Sequence, residues 1–142
     1  MILPAPRRLL LHGYDDGLRA DVLVYALEEI VAEKLRALLQ SEARRLKRGW
    51  TRPRVRDFYD LWRVLGDFEK DLDIRVIPAV LRKKCEVRNV SFSSADDFFA
   101  EGLLAEVNAA WAQSLAPLVS DLPPLSKVLS ELRPKVERLL AE

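Results

Sequence analysis

The sequence predicts a mainly α protein with a small N-terminal β-hairpin. Apolar residues recur at helical spacing from Leu27 almost to the C-terminus. Strand-like runs occur only before residue 26, on either side of an Asp-Gly-containing turn. Glycines and prolines fall between the periodic segments and mark where they stop.

The 142 residues are 49% apolar and 32% charged, with a net charge of +1. That size predicts a single domain over residues 1–142, and the apolar content excludes a disordered chain. Its parts are a hairpin segment over 1–26, a helix pair over 27–66 and a C-terminal helical part over 67–142. One cysteine, Cys85, leaves no intrachain disulfide framework and no cysteine zinc site. Charges interrupt every apolar run, so no transmembrane helix is expected, and Met1 is followed by no signal-peptide pattern. The expectation is a soluble cytoplasmic protein with no membrane partner.

The hairpin pairs Arg8–His12 with Ala20–Tyr25 around Tyr14-Asp15-Asp16-Gly17. From Leu27 the period changes. Leu27, Ile30, Val31, Leu35, Leu38 and Leu39 form one helical stripe to about Leu46. Glu28 and Glu29 in the first turn, and Arg44, Arg45, Lys47 and Arg48 in the last, suit the helix dipole. Gly49 ends this helix.

A second helix is expected from Val55 to Leu65, burying Phe58, Leu61, Trp62 and Leu65, with Gly66 as its stop. A third covers Leu72 to Lys84, with Pro78 in its first turn or at a kink. Ser93 or Ser94 caps a fourth from Ala95 to Leu115. The last runs from Leu125 to Leu140, with Pro134 as a break.

Charge is unevenly distributed. Between Lys34 and Arg63 ten basic residues face three acids, a net of +7, and the remaining 13 bases and 19 acids give −6. Such a face suits nucleic acid or polyphosphate, or is simply a set of solvated helices.

Isolated reactive residues point to little chemistry. His12 has no serine or cysteine partner in its segment. Cys85 follows Arg82-Lys83-Lys84, a setting that favours a thiolate if exposed and is inert if buried. Asp71-Leu72-Asp73 has two-carboxylate spacing but reads as a solvated helix start. The scattered glycines form no phosphate-binding loop.

The helix pair from Glu28 to Leu65 is the strongest local feature. Lys34 lies beside the apolar stripe, where it either snorkels or enters a cleft. Asp57 opens the second helix, and Asp60 follows one turn later. A purely structural arrangement would pair Lys34 with Asp60 and leave Asp57 as an N-terminal helix charge.

EEIVAEKLRALL, a basic loop and then RVRDFYDLWRVL resemble the second half of the AbiEii/AbiGii toxin family of nucleotidyltransferases. The family's E-K-x-x-A-L is met by Glu33, Lys34, Ala37 and Leu38. Its R-x-x-D-x-x-D-L is met by Arg54, Asp57, Asp60 and Leu61. The later segment, with Trp111 and the proline-rich break, is similar to the family's helical C-terminal part.

The resemblance implies the back half of an α+β nucleotidyltransferase-like fold, a helical bundle following a catalytic sheet. It also implies a type IV toxin–antitoxin or abortive-infection role, with a nucleotide passed from NTP to an RNA acceptor. By carry-over, Lys34 contacts the nucleotide phosphates, Asp57 is the late catalytic carboxylate and Asp60 accompanies it. Arg36, Arg54 and Arg56 then guide the RNA backbone.

The family's glycine-serine turn and D-x-D, which hold Mg²⁺, are not matched in the residues before Leu27. The expectation is therefore a domain incomplete as an enzyme alone, with NTP and Mg²⁺ as cofactors only if it is active and no metal ligand assigned here. Its partners would be NTP, RNA, an antitoxin or a separate front-half chain. Two alternatives stand beside this one. One is a non-catalytic helical module holding RNA or nucleotide on the basic face. The other is an interaction protein whose hairpin edge pairs with a partner or a second copy.

Overall fold

The computed structural model describes residues 27–141. The expected hairpin, and His12 with it, lies outside them. Among the described residues the chain is entirely helical, with five α-helices and two 3₁₀ turns.

Helix α1, Leu27–Arg48, follows the expected stripe and buries Val31, Ala32, Leu35, Leu38 and Leu39. Gly49 ends it at φ +86°, its N–H donating to the Arg45 carbonyl at 2.7 Å. Glycine meets a left-handed cap at no steric cost, which is why the helix stops here. Helix α2, Val55–Asp67, passes through Gly66 and is capped instead by the Phe68 N–H donating to the Val64 carbonyl. One helical glycine costs only about 1 kcal/mol, so it did not stop the helix as the sequence suggested.

Helix α3, Ile77–Val87, starts later than expected. Pro78 lies in its first turn, where a missing N–H leaves no bond unmade. The segment before it is a 3₁₀ turn, Glu69–Asp71, followed by extended Leu72. The fourth expected helix is divided. Ala95–Phe99 is 3₁₀, Ala100 is extended at ψ 138°, and α4 runs over Glu101–Leu115. Helix α5, Leu125–Leu140, continues through Pro134 without the expected break.

The five helices share one apolar core. Helix α1 is its central element, packed most extensively on α3 and then on α2. Helix α2 also meets α4 and α5. Phe58, Leu35, Leu38, Leu81, Leu103 and Leu132 are fully buried, and burial of each such side chain stabilises the fold by roughly 1.5–3 kcal/mol. Phe58 meets Phe99 at 6.1 Å, and Tyr59 lies 6.4 Å from Trp111. Trp62, expected in the core, is only half-buried. The Trp62 indole instead donates to Glu131 Oε1 at 2.9 Å, tying α2 to α5. Among the described residues no helix is long and apolar enough to cross a membrane.

Candidate functional site

Helices α1 and α2 meet at Lys34, Asp57 and Asp60. Asp57 and Asp60 are three residues apart, so they project from consecutive turns of one helix toward α1. Lys34 answers from the α1 face that abuts them. Its Nζ donates to Asp57 Oδ1 at 3.2 Å and to Asp60 Oδ2 at 2.9 Å. Arg54, just before α2, places its guanidinium 3.5 Å from the other Asp57 oxygen. The Asp57 side chain is therefore shared between two cations and is 13% exposed.

Partial burial works against the Lys34 charge. The hydrogen bond to Asp60 and the field of Asp57 outweigh it, holding the ammonium above the usual lysine value. Lys34 is therefore a firmly charged group, which suits phosphate binding and excludes a role as a general base near neutral pH.

The remaining carried-over residues separate. Arg36 turns to its own helix, where its Nε donates to Glu33 Oε1 at 2.7 Å and a terminal nitrogen meets Gln40. Arg56 is exposed and has no carboxylate partner among the described residues. The structure thus groups Lys34, Arg54, Asp57 and Asp60, while Arg36 and Arg56 stand apart.

A cleft of about 330 Å³ opens beside Lys34, lined by Glu29, Ile30, Glu33, Lys34 and Lys84. Lys84, from α3, lies 3.3 Å from both Glu29 and Glu33 and closes the far side. Burial raises the cost of the Glu33 charge, yet Arg36 and then Lys84 hold its carboxyl below the usual range. The sequence placed Glu28 and Glu29 as charges on a helix end, but they are 1% and 6% exposed. Glu28 Oε2 accepts the Asp73 N–H at 2.6 Å and fixes the turn before α3. The role of Lys84 was not legible, because it depends on how α3 crosses α1. The motif itself marks only α1 and α2.

Asp57 and Asp60 carry an ammonium seated between them. Among the described residues no cluster of three or more His, Cys, Asp or Glu side chains could hold a metal ion. These residues by themselves do not fit a divalent cation. Cys85 is buried, and that burial pushes its thiol up against the weaker pull of Arg36, so it is an inert core side chain.

No curated protein and no solved structure matches the chain. A family model described as the nucleotidyl transferase AbiEii toxin of type IV toxin–antitoxin systems matches residues 1–142. With that match spanning the whole sequence and the signature helices joined at Lys34, Asp57 and Asp60, the chain belongs to the AbiEii nucleotidyl transferase toxin family.

Proposed function

We propose that this chain supplies the helical, nucleotide-facing part of a toxin that passes a nucleotide from an NTP to an RNA acceptor. The observation that supports the reading is the Lys34–Asp57–Asp60 cluster, held together by the two signature helices beside an open cleft. Lys34 would exchange a carboxylate for a phosphate oxygen when the nucleotide arrives, since a compact ammonium serves either anion. Asp57, kept in place by Arg54, would face the reacting end, with Asp60 steadying Lys34 between turnovers. Arg54, held against Asp57, would meet the RNA backbone at this cluster, and the exposed Arg56 would add charge from outside it. Arg36, turned toward Glu33, would contribute only long-range charge. The sequence carries no D-x-D after a glycine-serine turn, so the reading assigns the metal carboxylates to polypeptide outside these residues. An antitoxin is the partner that the family context suggests.

Titration of a fluorescent NTP with Mg²⁺ tests this reading, using wild type beside Lys34→Ala and Asp57→Ala. Saturable binding lost in Lys34→Ala, with the variant still folded by circular dichroism, is the expected result. No wild-type binding at millimolar nucleotide would reduce the cluster to helix packing and overturn the reading.

A further inference from the structure

The end of α1 and the connector after it carry a second surface. Arg44, Lys47, Arg48, Arg52 and Arg56 are exposed, and none has a carboxylate partner among the described residues. Arg36, Arg45, Arg54 and Arg63 differ, each being held by an acid three or four residues away. Between Arg48 and Arg52 in the chain, Trp50 is 64% exposed. The other two tryptophans are anchored. Trp111 is 5% exposed with its indole on the Pro123 carbonyl, and Trp62 bonds Glu131. An indole in water next to unpaired cations offers a flat stacking face beside positive charge.

The connector also has a direction. Ser41 and Thr51 join their hydroxyls at 3.1 Å, so the chain after Trp50 folds back along α1. Ser41 lies two turns beyond Lys34 on the same face, about 10 Å along the axis. Arg54 then reaches Asp57. A strip bearing the unpaired Arg52 and then the Asp57-held Arg54 therefore leads from Trp50 to the Lys34 cluster.

We propose that Trp50 and its surrounding cations bind single-stranded RNA, with an unpaired base stacked on the indole and the phosphates following the strip toward Lys34. Charge alone would serve a duplex equally well. The exposed indole selects single strands, because a duplex hides the faces of its bases. A lipid surface is disfavoured, since membrane-lying helices need an apolar face and that of α1 is buried against α2 and α3. The proposal deepens the acceptor side of the function above and rests on it for the direction of the strand.

The test is fluorescence anisotropy without nucleotide, using the full chain with a labelled single-stranded RNA, the same RNA as a duplex, and vesicles containing phosphatidylserine. The single strand is expected to bind tighter than the duplex. Trp50→Ala should weaken it roughly 10-fold, while Trp50→Phe retains most of the affinity. Arg48→Ala and Arg52→Ala should each reduce the salt slope by about 1. Unchanged binding by Trp50→Ala, a preference for duplex, or vesicle binding without RNA binding would each overturn the proposal. Trp50-dependent RNA binding in a chain that binds no nucleotide would leave this surface standing and remove the nucleotide reading. Nucleotide binding with RNA affinity indifferent to Trp50 would do the reverse.

Discussion

The Lys34 ammonium lies 2.9 Å from the Asp60 carboxylate, bridging two helices whose sequences are separated by a basic connector. Asp57 completes the bridge at 3.2 Å. The contact is partly buried, and it joins α1 to α2 across 26 residues of sequence. It can therefore be read for stability independently of any ligand.

Replacing Lys34 by methionine keeps the apolar stem and removes the charge, and should cost about 1 kcal/mol at neutral pH. The pH dependence has a defined sign. The folded-state value of Lys34 lies above its ordinary one, so the contribution is full below about pH 10.4 and is lost as pH rises through the raised value. Urea denaturation of wild type and Lys34→Met should show a gap that is constant from about pH 7 to 9 and closes above the lysine range. A gap that widens under alkaline conditions would contradict the assignment.

What was legible in the sequence follows from where each constraint acts. The α1 stripe and the α1–α2 pairing are local periodicities joined by a short connector, so Leu35, Leu38, Phe58 and the Lys34–Asp60 contact could be anticipated. Gly66 was expected to stop α2 and Pro134 to break α5, but about 1 kcal/mol for a helical glycine and about 3 kcal/mol for a helical proline are offset by the apolar burial around Leu65, Leu132 and Val136. The bend at Ala100 was hidden because Phe98, Phe99 and Leu103 keep a helical spacing across it. Lys84 and the buried Glu29 were hidden for a different reason. Their meeting is set by the crossing of α1 and α3, which no motif encodes. Trp50 lies in a connector governed by no period at all.

The bend at Ala100 yields a second prediction. Asp97 Oδ2 accepts the backbone N–H groups of Ser93 at 2.7 Å and Ser94 at 3.2 Å, along with the Ser93 hydroxyl. These donors hold the Asp97 carboxyl below the usual range, the Ser93 N–H foremost. A depressed value stabilises the fold above the ordinary aspartate pKa and loses that effect as pH falls through the folded one. Asp97→Ala should cost about 1 kcal/mol at neutral pH, and Asp97→Asn less. In thermal melts the difference from wild type should shrink below about pH 4. A difference that persists undiminished in acid would mean that the carboxylate charge is not what the turn uses.

Gly102 supplies the third prediction, because the space above its Cα is filled by the Arg45 guanidinium. Arg45 is held there by Glu42, with Nε and a terminal nitrogen at 2.7 and 2.8 Å from the two carboxylate oxygens. A methyl group at position 102 would collide with that guanidinium, the far end of a flexible side chain that can swing away only by leaving Glu42. Alanine in a helix otherwise gains roughly 0.5–1 kcal/mol over glycine. Gly102→Ala should therefore give little or no gain in the wild-type chain and the full gain in an Arg45→Ala background. A double-mutant cycle by urea denaturation measures the difference. Equal gains in both backgrounds would show that Arg45 leaves its place freely, and that the α1–α4 contact does not depend on the glycine.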